Sequence, residues 1–200
     1  MDAALIHFAT YYRGVPYPSS RDFKPFIFEN NSTPYYGIEK PDYNREVGIT
    51  AYLRPDKIWE NTTRAYKSGR TTGVTYGLIQ KIDTKIWSYS DYGYVVIVDP
   101  ALRISRCYTD EKGNYICYYR SNIARGGDSG GPVYIRHLIY AERIGNVYIY
   151  HYGAQMIGIL AGISDDWPAT ILYASWAVLI KERWPDLELV TCGPDIGRCL

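Results

Sequence analysis

Histidine is scarce: His7, His137 and His151 are the only three in 200 residues. Chemistry that needs an imidazole base must use one of these or import one from elsewhere. Neither sign of charge dominates, with 22 Lys plus Arg against 21 Asp plus Glu and a net charge of +1. That excludes the basic field of a nucleic-acid binder and a like-charged tail. Long apolar runs are missing too. The longest, residues 156–163, falls far short of the roughly 20 residues that span a bilayer. No basic-then-apolar leader follows Met1-Asp2, so a secreted route would need residues upstream of it. Glutamine occurs only as Gln80 and Gln155, and scarce thermolabile amides are a trend of hyperthermophile proteins.

The 4 cysteines fall into two local pairs, Cys107/Cys117 and Cys192/Cys199. Neither has the C-x₂-C spacing of a zinc site, and no metal or other cofactor is expected. Read as disulfides, with connectivity open, they point to an oxidising compartment or a hyperthermophile cytosol. The first pair brackets a segment with a hairpin pattern around Asp110 to Asn114.

Tyrosine is plentiful, at 22 residues, and glycine is concentrated in one place. Gly126-Gly127-Asp128-Ser129-Gly130-Gly131-Pro132 sets a serine between an acid and two glycines, and the apolar run Val133-Tyr134-Ile135 follows. Such glycines let main-chain N–H groups come close to a ligand. The loop therefore suits a hydroxyl nucleophile beside an oxyanion hole, where N–H donors stabilise the charge that develops in acyl transfer. Two other readings compete. Gly127-x-Ser129-x-Gly131 also meets the α/β-hydrolase elbow pattern, but that elbow leads into a helix, whereas residues 132–135 read as a strand. The remaining reading is a Gly-rich turn without chemistry.

Residues 127–132, GDSGGP, resemble the nucleophile loop of chymotrypsin-like serine proteases position for position. The resemblance implies Ser129 as nucleophile, the N–H groups of Gly127 and Ser129 as the oxyanion hole, and Asp128 as an acid that holds the loop in shape. Residues 64–80 add a second signal: two short strands flank a Gly/Thr turn. The run S-G-R-T-T-G at 68–73, followed by x-x-x-G-x-I, resembles the first hairpin of the second barrel in α-lytic-protease-like and streptogrisin-like enzymes. Those enzymes usually carry cysteines in the flanking strands; Tyr66 and Tyr76 stand in their place here. Asp2-Ala3-Ala4-Leu5-Ile6 resembles the segment around the triad aspartate. That implies Asp2 as the acid that orients the histidine.

Along the rest of the chain, five prolines between Pro16 and Pro41 make residues 8–46 an extended connection. Asn30, Asn31 and Asn61 begin N-x-[ST] sequons, either glycosylation acceptors or chance matches. Residues 92–100 read as a buried strand ending in a turn, and residues 133–140 and 147–152 as a hairpin across Gly145-Asn146. Residues 156–163 read as a central strand. The resemblance lays Ala161, Gly162 and Ile163 along the substrate cleft. Residues 169–184 have helical spacing up to Pro185. Ile123 stands where trypsin-like members keep an acid at the pocket floor, which implies apolar or aromatic P1 side chains (the residue on the acyl side of the scissile bond).

The base is what the resemblance does not supply. A serine hydroxyl attacks poorly until a base takes its proton, and the family order of histidine, aspartate, serine puts that histidine upstream of Asp2. His7 cannot easily fold back onto Asp2. His137 and His151 share the phase of apolar neighbours and read as barrel-facing or interface residues, satisfied by local hydrogen bonds. The expected fold is all-β, a trypsin-like antiparallel β-barrel, the C-terminal barrel of a double-barrel fold, with a C-terminal α-helix. Residues 1–55 would be a remnant of the first barrel plus a Tyr/Pro-rich connection, and residues 56–200 the barrel with the nucleophile loop. An isolated second barrel leaves an apolar inter-barrel face uncovered. The expected function is a secreted or extracytoplasmic serine endopeptidase acting on polypeptide through an acyl-enzyme on Ser129, incomplete without a His-bearing N-terminal barrel on a separate or upstream segment. The alternative is an inactive pseudoprotease that binds protein. Neither nucleic acid nor a membrane span is expected.

Overall fold

The computed structural model describes residues 11–12, 15–16, 26–29, 45–53, 55–89, 95–117, 123–164 and 171–186. Asp2, His7, Cys192 and Cys199 lie outside them. Among the described residues the strands are β1 (Tyr11–Tyr12), β2 (Val15–Pro16), β3 (Phe26–Glu29), β4 (Arg45–Tyr52), β5 (Arg64–Gly69), β6 (Gly73–Tyr89), β7 (Val95–Ser105), β8 (Cys107–Thr109), β9 (Tyr115–Cys117), β10 (Pro132–Ile144), β11 (Val147–Ser164) and β12 (Ile171–Trp176). One helix, α1 (Ala177–Arg183), follows the last strand.

Six strands close on themselves in the order β10-β5-β6-β7-β12-β11, with β10 pairing back onto β11. Every pairing in the ring is antiparallel. The chain is therefore an all-β antiparallel barrel with a C-terminal helix. Closure removes the sheet edges that an open sheet would expose. The interior is filled by Ile79, Leu102, Ile104, Val133, Ile157, Leu160 and Leu172, all at most 2% exposed. Each such side chain contributes about 1.5–3 kcal/mol on leaving water. Trp176 belongs to the same core and donates its indole N–H to the Ile82 carbonyl at 2.9 Å.

Four expectations need correction. Residues 169–184 are not one helix: Ile171–Trp176 is the sixth barrel strand, and only Ala177–Arg183 is helical. This strand is buried on nearly every residue, and a continuous apolar run does not distinguish strand from helix by period. Residues 147–152 and 156–163 are one strand, β11, that serves first the hairpin with β10 and then the ladder with β12. β7 does not end at Pro100 but runs through it to Ser105. The proline is accommodated because the register slips there, Val98 facing Ile86 and Ala101 facing Thr84, so no ladder N–H is needed at that point.

The fourth correction concerns the connection. Its residues 26–29 and 45–46 belong to β3 and β4, which pair with each other, and β4 then pairs in parallel with β11. Ile27 from β3 and Ile49 from β4 pack with Tyr134, Ala154, Met156 and Ala177 in a second, outer core. Alternation explains it: Val133 points into the barrel and Tyr134 points out. Part of the barrel's outer apolar face is thus covered by the chain itself.

The Cys107–Cys117 hairpin forms as expected. The two residues face each other across β8 and β9 and are disulfide-bonded, and Cys107 is completely buried. The Asp110 carboxylate ties the turn by accepting the Lys112 and Asn114 amides at 2.9 and 2.8 Å.

Candidate active site

The site is built where two separate sequence motifs meet. The turn between β5 and β6 (residues 68–73) lies against the glycine-rich loop that leads into β10. The join is made by Asp128, only 1% exposed. Its Oδ1 accepts the Thr71 and Thr72 amides at 2.7 and 3.1 Å. Its Oδ2 accepts the Thr72 hydroxyl at 2.6 Å, the Arg125 amide at 3.0 Å and the Lys67 ammonium at 2.9 Å. Lys67 is itself 2% exposed, and its remaining donors go to the Thr72 hydroxyl and the Gly73 carbonyl.

Taking two charges out of water costs several kcal/mol per ion unless geometry and hydrogen bonds compensate. Here each is saturated. Burial alone would raise the Asp128 carboxyl, but the hydrogen bonds from Thr72 and Lys67, with the Lys67 charge and the Arg125 amide, hold it at about 2. Burial pulls the Lys67 ammonium below its ordinary value, and the Asp128 carboxylate opposes that. Asp128 is therefore charged at neutral pH.

Two close approaches explain the glycines. A Cβ on Gly69 would lie 2.4 Å from Asp128 Oδ1 and 2.7 Å from its Cγ. A Cβ on Gly131 would meet the Ser68 carbonyl oxygen at 2.4 Å. Loop and turn are further tied by the Thr71 hydroxyl, which donates to the Gly126 carbonyl at 2.8 Å. At its other end the loop is tied to β11: the Gly130 amide donates to the Leu160 carbonyl and the Leu160 amide to the Gly131 carbonyl, both at 2.9 Å.

With Asp128 drawn inward, Ser129 is left exposed at the loop's apex. The amides of Gly127 and Ser129 donate to no protein acceptor among the described residues. Gly127 and Gly130 hold left-handed φ angles of +91° and +80°. The loop therefore presents a hydroxyl together with unclaimed N–H donors.

Ile123 lies in the barrel core at 1% exposure, its carbonyl accepting the Thr75 hydroxyl. Gly162 and Ile163 pair with Tyr173 and Leu172 on β12, and Ala161 is skipped at a bulge. On the other side of β11 the pairing with β10 stops at Ile159. Among the described residues, the edge at residues 161–163 therefore has no strand partner on the side of the loop.

Among the described residues no histidine joins this site. His137 faces Gly153 across β10 and β11, five residues beyond Pro132, roughly 16 Å away at about 3.3 Å per strand residue. The expected local hydrogen bonds are absent at its Nδ1, which is buried without a partner among the described residues. Burial lowers its pKa. His151 is farther along, opposite Tyr140. No group of three or more His, Cys, Asp or Glu among the described residues is placed to hold a metal, and no helix among them is long and apolar enough to cross a membrane.

No family model and no curated protein matches the chain. Solved structures do overlap it. Nocardiopsis protease is 17% identical, with 80% of this chain and 58% of that one covered, at a TM-score of 0.45. Thermobifida fusca protease A is 20% identical over 86% and 64%, at 0.49. Cellulomonas bogoriensis chymotrypsin is 18% identical over 85% and 63%, at 0.48. The chain spans less than two thirds of each of these proteins. The overlaps are too distant to carry the site, which stands on its own geometry.

Lys67 and Thr72 are the residues that the motifs alone did not single out. A signal existed: Lys67 shares the inward phase of Ala65 on β5, and a lysine at an inward position of a barrel strand must have a buried partner. Tyr66 and Tyr76 do face each other, with ring centroids 5.8 Å apart. A tilted ring contact, 46° between planes, stands where the resembled enzymes carry a cysteine pair.

Proposed function

We propose that this chain is the nucleophile-bearing barrel of a chymotrypsin-like serine endopeptidase, of the α-lytic-protease-like branch, exported to an oxidising compartment. Ser129 attacks the peptide carbonyl to form an acyl-enzyme, the Gly127 and Ser129 amides receive the oxyanion, and the substrate strand lies along Ala161, Gly162 and Ile163. The base is a histidine on a first barrel outside these 200 residues, oriented by Asp2. One observation carries this reading: the Asp128 carboxylate is held inside by Lys67, Thr71 and Thr72, which leaves Ser129 exposed with unclaimed amides on either side of Asp128.

A second reading, a pseudoprotease that keeps the loop as a protein-binding surface, is favoured by the lack of any histidine near Ser129 among the described residues. Fluorophosphonate labelling followed by peptide mapping separates the two. The 200-residue chain alone is expected to stay unlabelled. The protein translated together with any sequence encoded upstream of Met1 is expected to label at Ser129 and not in a Ser129→Ala variant. Absence of the adduct in both forms would overturn the endopeptidase reading.

A further inference from the structure

We propose that Arg70 selects substrates with an acidic residue on the leaving-group side of the scissile bond; this rests on the endopeptidase reading above and adds a substrate class to it. Arg70 is exposed at the tip of the turn that carries Thr71 and Thr72. Its guanidinium lies over the loop: Nη2 is 3.5 Å and Nε 3.9 Å from the point where a Cβ on Gly127 would stand. A cation thus lies beside one of the two unclaimed amides.

That charge has no counter-ion among the described residues. The acid nearest in the site, Asp128, is buried and saturated by Lys67, Thr71, Thr72 and the Arg125 amide. Arg70 therefore keeps its guanidinium for a ligand, and its planar fork suits a carboxylate.

The loop's two anchors tell which half of a peptide Arg70 meets. The Gly130–Gly131 end is bonded to Leu160, directly before the open edge at residues 161–163. The Gly126–Gly127 end is bonded to the turn, through Thr71. A peptide that adds as a strand to the open edge and presents its carbonyl to Ser129 has its acyl half on β11. Its leaving half then continues past the loop toward Arg70. An Asp or Glu in the first two leaving-side positions meets the guanidinium there.

Binding can be read without turnover, in the protein translated together with any sequence encoded upstream of Met1 and carrying Ser129→Ala. Two fluorescent peptides, identical except for Asp or Asn directly after the scissile bond, are titrated by anisotropy. The Asp peptide is expected to bind about fivefold more tightly, the upper end for a solvent-accessible ion pair. The advantage should shrink as salt is added, vanish in Arg70→Ala and survive in part in Arg70→Lys. Equal binding of the two peptides, or an advantage that outlasts Arg70→Ala, would overturn the assignment while leaving the labelling result at Ser129 intact. An advantage for an acid on the acyl side instead would overturn the side assigned. Binding of neither peptide would remove the cleft itself, and the endopeptidase reading with it.

Discussion

At the scale of residues, the pair Lys67–Asp128 decides whether the loop has a shape. Lys67→Met leaves a carboxylate buried without its cation, and removal of one member of a buried pair costs about 3–5 kcal/mol. Urea unfolding should show a loss of that size. Arginine at the same position should lose less, since it keeps the charge. A Lys67→Met variant as stable as the parent would mean that the pair does not support the fold. The same carboxylate sets an acid limit. Its pKa is held at about 2, against an ordinary 3.8. The folded state thus favours the charged form, so this contribution to stability is complete above pH 3.8 and disappears as pH falls through about 2. The stability gap between parent and Asp128→Asn should narrow over that window. A gap that stays constant there would assign the acid sensitivity to other carboxyls.

At the scale of elements, the turn and the loop behave as one unit, and Gly69 is the test of their fit. Gly69→Ala sets a methyl within 2.4 Å of Asp128 Oδ1, and such overpacking costs about 1–3 kcal/mol. Thermal melting should fall accordingly, and any labelling at Ser129 should fall with it. Unchanged melting would mean that the two elements are not in contact. This unit also marks how far the residues alone lead. Residues 68–73 and 127–132 were each legible as motifs, because glycine and proline punctuate sequence sharply. Their contact was not, since the partner of a buried Lys67 is fixed by barrel closure rather than by neighbours in the chain. The hairpins of β5 with β6 and of β10 with β11 were readable from alternation and turns. β12 was not, because a strand buried on both faces has no alternation to read. β3 and β4 were hidden by the prolines around them.

At the scale of the whole molecule, a closed barrel with an outer layer of β3 and β4 leaves residues 161–163 beside the loop without a second strand neighbour among the described residues. On the proposed reading a substrate approaches there, past the positive Arg70 and onto a barrel whose Ile123 offers no acid. A full-length enzyme should therefore turn over P1-Phe peptides faster than P1-Arg ones. Faster turnover of P1-Arg would refute that preference. The barrel's closure has one more consequence. Lys67 and Asp128 are 61 positions apart, and Thr71 reaches Asp128 across 57. A chain still emerging from the ribosome, or one half melted, carries Ser129 on a slack run of glycines with nothing to hold its acid in place. The loop takes its shape in the same event that buries the core.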